Sequence, residues 1–140
     1  MLHDPNEQYR RLVELSPDGI FISRDNRIVF VNPAAVRLFG ASDPGQILGR
    51  SPLDFFHPDT HAVIRERVRR MLAGETAPLL EQKLIRLDGA STHVEVTGSL
   101  LDADGHAIQV IARDITERKR AEAALRESEE RLTLAFAGAQ

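Results

Sequence analysis

Short apolar stretches alternate along the chain with polar turn residues, and their spacing predicts both helices and strands. Where apolar side chains recur every three or four positions, as Ile64, Val68 and Met71 do, the pattern is that of an amphipathic helix. This pattern and its stop residues predict helices over 6–15, 33–39 and 58–73, with short helical turns from 41 to 57. Apolar runs bounded by turn residues predict five strands, at 19–23, 27–31, 79–87, 92–101 and 107–114.

Turn residues between the predicted strands indicate hairpins. Asp25-Asn26 joins the first pair, Asp88-Gly89 the next, and Asp102-Ala103-Asp104-Gly105 the last. Asn32-Pro33 marks the start of the second helix, because Asn is a strong N-cap and Pro suits the first helical position. Two strands, a helical block and a three-stranded meander make an α+β domain, in which a five-stranded antiparallel sheet carries its helices on one face.

The chain changes character after Asp114. Residues 117–137 contain no Gly or Pro and are rich in Ala, Glu, Arg and Leu, which predicts one long helix. A narrow stripe follows heptad spacing: Ala121, Leu125, Ser128, Leu132 and Ala135. Because Ala and Ser bury little, we expect this helix to need a partner helix. The predicted organisation is an N-terminal helical cap (1–16), a globular domain (17–116) and a linker helix toward a following module (117–140).

Composition excludes several classes of site. The 140 residues include no Cys, which removes disulfides, thiolate zinc sites, iron–sulfur clusters and cysteine nucleophiles. The net charge of −3 gives no general attraction to nucleic acid or to anionic membranes. No window reaches the roughly 18 consecutive apolar residues of a transmembrane helix. We therefore expect a cytoplasmic domain without direct membrane contact, although the parent protein could carry a membrane segment elsewhere.

Catalytic and metal-binding patterns are absent from the sequence. It has no phosphate loop, nucleophile elbow or paired carboxylates in an apolar run, so we predict no catalytic residue. His57 and His61 are four positions apart, but Pro58 makes His57 an entry residue of the helix, and we predict no metal site. The arginines of 65–70 are typical of a solvated helix face.

The order of elements and two motifs resemble a PAS domain, the sensory box of bacterial signalling proteins. The motifs are the hairpin Arg86-Leu87-Asp88-Gly89 and the ending Arg113-Asp114-Ile115-Thr116-Glu117-Arg118, which runs into a charged helix. The resemblance covers 9–117, and residues 127–132 resemble the linker into another PAS module. It implies a PAS module of a multidomain protein, first of all a sensor histidine kinase. The phosphoacceptor His motif, ATP-binding boxes and cyclase motif of such parents are missing here.

The resemblance also implies a route for a signal. Asp114, Ile115 and Thr116 connect the last strand to the terminal helix, and Thr116 is expected to cap that helix. In the family the acidic residue at this position pairs with a base on the neighbouring hairpin, for which Arg86 is the best-placed candidate. A routine ion pair at the end of a strand, worth under about 1 kcal/mol, is an equally weighted interpretation.

A pocket between the sheet and the long helix is the expected place for a ligand. Its expected lining is Ile64, Val68, Met71, Val94 and Val96. The same residues would form plain core, and this interpretation is favoured, because apolar stripes at such spacing are core far more often than cofactor sites. A small organic molecule remains the open alternative.

No cofactor is identified from the sequence. Haem-binding relatives place an axial histidine on the long helix, and the matching position here is Val63; His61 would point about 200° away around a helix. A covalent flavin adduct is excluded because it requires a cysteine. Non-covalent flavin stays open, although no Trp and one Tyr leave few aromatic partners for its ring.

These inferences combine into one functional hypothesis. The chain is a non-catalytic sensory and dimerisation module that passes a signal through its terminal helix to an output domain of a histidine kinase phosphorelay. Its partners would be a second copy of itself, that output domain and an unknown small molecule. The alternatives are a ligand-free interaction scaffold, a haem or flavin sensor, and the PAS module of a cyclic-di-GMP enzyme.

Overall fold

The structure is a computed structural model that describes residues 5–102 and 104–138. Its helices are α1 (Pro5–Leu15), α2 (Pro33–Leu38), α3 (His61–Leu72) and α4 (Thr116–Gly138). Its strands are β1 (Gly19–Arg24), β2 (Arg27–Val31), β3 (Ala77–Ile85), β4 (Ser91–Leu100) and β5 (Ala107–Asp114). Short 3₁₀ helices cover Pro44–Gln46, Pro52–Phe55 and Pro58–Thr60.

Every predicted helix and strand is present. The third strand starts two residues earlier than predicted, and the predicted helix from 58 begins with a 3₁₀ turn before α3. Residues 1–4 and 139–140 of the two predicted terminal segments, and Ala103 of the predicted last hairpin, lie outside the described residues.

The five strands form one antiparallel sheet in the order β2-β1-β5-β4-β3. The last strand therefore lies between the N-terminal hairpin and the other two strands, and it joins both halves of the chain. In this register Phe21 of β1 lies opposite Val110 of β5, and Val110 lies opposite Gly98 of β4. The predicted α+β class and five-stranded antiparallel sheet are confirmed.

The two faces of the sheet carry different residues, because side chains alternate along each strand. One face, here called the inner face, holds the buried residues Phe21, Leu84, Val94, Val96 and Val110, and α2, α3 and the 3₁₀ helices cover it. The other, outer face is largely polar on β3 and β4, whereas on β1 it carries apolar residues such as Ile20, beside Val13 of α1. There Tyr9 of α1 donates a hydrogen bond to Gln109 at 3.3 Å, and α4 contacts β4. The central and terminal helices thus lie on opposite faces.

Close packing holds the helical block against the inner face. Phe39 and Phe55 stack with ring centroids 4.7 Å apart, and Phe21 meets Phe39 at 5.8 Å. A Cβ on Gly98 would lie 2.9 Å from Met71 Sδ and 2.9 Å from the Gln109 carbonyl oxygen. The absence of a side chain at Gly98 is therefore what lets α3 approach β4 so closely.

Asn32 joins four segments through one fully buried amide. Its Oδ1 accepts from the backbone N–H groups of Ile20 at 2.8 Å and Ala35 at 2.9 Å. Its Nδ2 donates to the carbonyl oxygens of Val13 at 2.8 Å and Asp18 at 3.0 Å. The predicted N-cap is confirmed, and all four hydrogen-bonding positions of the amide are used.

We expect Asn32→Ala to lower the free energy of unfolding by about 3–5 kcal/mol, because it removes a helix cap and leaves buried backbone groups without partners. Urea unfolding followed by far-ultraviolet circular dichroism measures the loss. The matched control is Asp43→Ala, which removes the exposed cap of the first 3₁₀ helix and should cost under about 1 kcal/mol. Similar losses in both variants would contradict the central role of Asn32.

Candidate functional site

A small cavity lies between α3 and the inner face of the sheet. Its volume is about 50 Å³, and most of its lining is apolar, including Phe21, Phe56 and Val110. Of the predicted lining residues, Ile64, Val68, Met71 and Val96 line this cavity. Val94 is fully buried in the core and lies outside the lining. Helix spacing and strand alternation thus bring four of the five residues together.

A larger cleft adjoins the cavity and opens to solvent. It has a volume of about 440 Å³ and shares Ser23, Ile64 and Val68 with the cavity lining. At its rim, His106 Nδ1 lies 3.7 Å from a carboxylate oxygen of Asp25. The shared residues make the cleft a route by which a small molecule could reach the interior.

Arg67 departs from the prediction that all arginines of 65–70 are solvated. It is half-buried and lines the cavity, and its Nη2 donates to the carbonyl oxygens of Pro78 at 2.8 Å and Val96 at 3.1 Å. Burial lowers the pKa of its guanidinium, because desolvation disfavours the charged form. Arginine 67 therefore belongs to the cavity and not to the solvated face.

The neighbouring exposed arginines behave as predicted. Arg69 and Arg70 both pair with Glu66, at 2.6 Å and 3.2 Å. The hydrogen bond from Arg69, followed by that from Arg70, outweighs desolvation and lowers the pKa of the Glu66 carboxyl to about 2. These exposed pairs stabilise the surface of α3 and leave the cavity unaffected.

The helix-start histidines both contact the backbone. His57 Nδ1 accepts from the N–H of Asp59 at 3.1 Å, which confirms His57 as an entry residue. His61 Nε2 lies 2.9 Å from the Leu53 carbonyl oxygen and 3.0 Å from that of Phe56. Val63, the position matched to a haem ligand, is 47 % exposed and does not line the cavity.

No group of three or more His, Asp or Glu side chains suited to a metal ion occurs within residues 5–102 and 104–138. Over the same residues, no helix is long and apolar enough to cross a membrane.

The junction between β5 and α4 is built by Asp114 and Ile115. Asp114 Oδ1 accepts from the N–H of Thr116 at 2.8 Å, so the acceptor at the start of the helix is Asp114 and not, as expected, the Thr116 hydroxyl. Ile115 is buried, and its N–H donates to the His93 carbonyl oxygen at 3.0 Å. Its own carbonyl accepts from Lys119 N–H at 2.9 Å, which begins the helix.

The prediction that Arg86 forms an ion pair with Asp114 is wrong. Arg86 Nε lies 3.1 Å from Asp88, and its Nη1 donates to the last carbonyls of α2, those of Arg37 and Leu38, at 3.2 Å each. The register explains this difference. The row that contains Asp114 crosses β3 at Gln82, four positions before Arg86, which corresponds to about 13 Å along a strand.

A row of charges crosses the outer face beside this junction. Glu81 of β3 lies directly opposite Glu95 of β4, and Glu95 lies opposite Arg113 of β5, which pairs with Asp18 at 3.1 Å. Like charges directly opposite each other destabilise a sheet. The first turn of α4 supplies the compensating cations, because Arg118 lies 3.2 Å from Glu81 and 3.0 Å from Glu95, and Lys119 lies 2.9 Å from Glu81.

The pKa shifts of Glu81 and Arg118 in this row of charges agree with their ion pairs. The hydrogen bond from Lys119, and then the charges of Lys119 and Arg118, lower the pKa of the Glu81 carboxyl. The hydrogen bond to Glu95 raises the pKa of the Arg118 guanidinium. Each shift favours the charged form, so the cluster stabilises the docked helix while its carboxylates are ionised.

A comparison with protein families agrees with this architecture. The family described as PAS fold matches residues 7–115, most of the chain. The chain belongs to the PAS family. Its five-stranded sheet and the helices that cover the inner face are therefore those of a PAS domain, as the sequence motifs predict.

Relatives of this PAS domain include bacterial histidine kinases. Sporulation kinase A of Bacillus subtilis (strain 168) is 34% identical over 129 residues, which are 91% of this chain and 21% of that protein. The chain thus spans about a fifth of that curated relative. A domain of a sensory box sensor histidine kinase/response regulator from Geobacter sulfurreducens has a TM-score of 0.68 and 28% identity, covering 78% of this chain and 93% of that one.

A third comparison concerns a transcriptional regulator. The PAS domain of a LuxR-family regulator from Burkholderia thailandensis, solved in complex with ethanol, has a TM-score of 0.64 and 26% identity. The match covers 76% of this chain and 96% of that chain. These relatives establish a PAS sensory domain related to histidine kinases.

Several residues of the site were not identified from the sequence. For some of them the sequence contains a pattern that indicates their position, and for others it does not. Gln82 follows the apolar phase of Leu80 and Leu84, which would have placed it on the buried face. Arg67 lies three positions after Ile64 and four before Met71, on the same helical stripe. Nothing in the sequence predicts that Glu81 and Glu95 are opposite each other, because that depends on strand register.

The pKa of Glu81 tests the docked position of α4. We expect Lys119→Met to raise the pKa of the Glu81 carboxyl toward its ordinary value, because the largest cause of its lowering is removed. A lowered folded pKa stabilises the fold above the unfolded pKa, and this stabilisation is lost as pH falls through the folded value. Carboxyl-detected NMR titration of both proteins measures the change.

The matched control for this titration is Lys83→Met, at the chain's other lysine, two residues from Glu81 on the same strand. It should leave the pKa of Glu81 nearly unchanged, since Lys83 contributes nothing to the lowering. An identical Glu81 titration in the Lys119→Met variant and the unaltered chain would show that α4 does not dock on β3 in solution.

Proposed function

We propose that this PAS domain is a non-catalytic sensory module that passes a conformational change through α4 to an output domain, such as a histidine kinase. Its relatives in histidine kinases support this output. We further propose that it works in the cytoplasm. The proposal concerns transmission and not chemistry at the domain itself.

One observation carries the proposal: α4 is attached to the sheet at its first turn and free beyond it. Within the described residues, the ion pairs between α4 and the sheet come from Arg118 and Lys119. None of the side chains of α4 is buried, and Leu125, Leu132, Leu134 and Phe136 are all at least 59 % exposed. A helix held at one end transmits a small rotation of the sheet as a displacement of its far end.

The charge row gives α4 two positions of different energy. When the helix is docked, its cations compensate the opposed carboxylates of Glu81 and Glu95. When it swings away, those carboxylates repel each other, and water must screen them. A stimulus that changes the spacing of β3 and β4 therefore shifts the population of docked and released helices.

The size of the cavity favours a small molecule as the stimulus. Its volume of about 50 Å³ suits a molecule much smaller than a haem or a flavin. A related PAS domain carries ethanol, a molecule of suitable size. We therefore propose a small organic ligand as the signal.

The exposed stripe of α4 favours a homodimer through paired terminal helices. Leu125 and Leu132 are one heptad apart, and helices in proteins gain most of their stability by packing such an apolar stripe against a partner. The ends of the two helices would then present the output domains to each other.

We expect the double variant Leu125→Glu/Leu132→Glu to shift the protein from dimer to monomer, because charges at the helix seam are buried on association. Sedimentation velocity over a range of concentrations measures the mass. The control is Leu134→Glu, at a somewhat more exposed leucine outside the stripe, which should remain dimeric. A monomeric unaltered chain, or dissociation of both variants alike, would contradict pairing through this stripe.

Transmission is tested in a fusion of the full chain, in heptad register, to the catalytic core of a sensor histidine kinase. We expect Asp114→Ala to change the rate of autophosphorylation by at least about fivefold, because it removes the acceptor that fixes the start of α4. Asp104→Ala, at an exposed hairpin, is the control and should leave the rate unchanged. Equal rates in all three fusions would refute this route.

A further inference from the structure

Arg67 is a cation in the cavity wall, and none of the described residues supplies a counter-ion for it. Its Nη2 is held by the carbonyls of Pro78 and Val96, at the bulge where β3 and β4 lose regular pairing. Neither its Nε nor its Nη1 has an acceptor among the described residues, and no described carboxylate lies within ion-pair distance of it. Desolvating a charge without pairing it is unfavourable, so this position favours an anion from outside the chain.

Gln82 provides a second, independent observation in the same wall. Its side chain is 6 % exposed and lines the cavity, yet its amide makes no hydrogen bond with any residue of 5–102 or 104–138. No polar side-chain atom in this part of the chain is sealed from water without a partner, so the Gln82 amide reaches the cavity itself. Buried amides are almost always hydrogen-bonded, which points to a partner inside the cavity.

The size and the lining of the cavity limit what that partner can be. At roughly 10–15 Å³ for each water-sized position, the volume of about 50 Å³ holds about three to five non-hydrogen atoms. Beyond Arg67, Gln82, Ser23 and Thr97, whose hydroxyl donates to the Ala77 carbonyl oxygen, the wall is formed by apolar groups such as Met71 and Val110. The occupant should therefore combine one anionic end with a short apolar end.

We propose that this cavity binds a small monocarboxylate of about two or three carbon atoms. The carboxylate accepts hydrogen bonds from the free N–H groups of Arg67 and from the Gln82 amide, and the short alkyl chain packs against Met71. The adjoining cleft supplies the entrance. This inference names the ligand class of the proposed sensory function and rests on it for its consequence, whereas binding itself is tested separately.

Other ligands of similar size match the charge and the apolar lining of the cavity less well. A neutral alcohol leaves the Arg67 charge uncompensated, and a phosphate dianion brings more charge than one guanidinium balances. A dicarboxylate would place a second charge against the apolar wall, at a large desolvation cost. The monocarboxylate alone pairs the cation and fills the apolar space.

The test is a titration of the full 140-residue chain, labelled with ¹⁵N, with sodium propionate at constant ionic strength. We expect saturable shifts of the Gln82, Met71 and Gly98 amide signals, with a dissociation constant of about 1 mM. Titration with 1-propanol, a neutral molecule of the same length, should give binding at least about tenfold weaker, because it leaves Arg67 unpaired.

Two cavity variants and one control assign the binding to these residues. Arg67→Gln and Gln82→Leu should each weaken propionate binding by at least about tenfold. Arg69→Gln, on the solvated face of the same helix, should leave it unchanged. Because Arg67 also holds two backbone carbonyls, Gln82→Leu keeps the test decisive if Arg67→Gln disturbs the fold.

The possible results distinguish a failure of the ligand assignment from a failure of the proposed signal transmission. Equal binding of propionate and 1-propanol would overturn the carboxylate assignment, and no binding of either would overturn the ligand site. Both results leave the transmission route to be judged by the Asp114→Ala fusion. Conversely, propionate binding that depends on Arg67 and Gln82 supports this inference even if the fusion rates are equal.

Discussion

The buried amide of Asn32 is the interaction on which the rest of the structure depends. Its four hydrogen bonds join the end of α1, the turn before β1, β1 itself and the start of α2, four segments that no other side chain connects among the described residues. An amide with fewer partners here would leave a buried polar group, so the four segments must be positioned together or not at all. Their position determines where β1 pairs with β5, and β5 leads directly into α4.

A second constraint acts at the same end of β5, two residues further along the strand. The pairing of β3, β4 and β5 brings Glu81, Glu95 and Arg113 into one row, and that row contains two opposed carboxylates. The sheet alone does not resolve this repulsion, because the Arg113 side chain is engaged with Asp18. The first turn of α4 does so, which makes the position of the helix a property of the sheet and not of the helix itself.

Much of the fold could be predicted from the sequence because its signals are local. The cap at Asn32, the hairpin turns and the heptad stripe each depend on a few neighbouring residues. The expected pair of Arg86 and Asp114 failed because it required the register of β3 against β5, which local patterns do not contain. The position of Arg67 was missed for another reason. Its arginine-rich segment indicated a solvent-exposed side chain, whereas its helical position relative to Ile64 and Met71 indicated the interior.

The same register connects the cavity with the signalling helix. Gln82 of the cavity wall lies opposite Val94, and Val94 lies opposite Asp114, so one row of the sheet runs from the cavity to the cap of α4. The residue next to Gln82 along β3 is Glu81, whose side chain reaches the other face and pairs with Lys119. A shift of β3 that satisfies the Gln82 amide must therefore also move Glu81. Because both ends of this connection are adjacent residues of one strand, a ligand that moved Gln82 would also move Glu81, without a separate pathway between them.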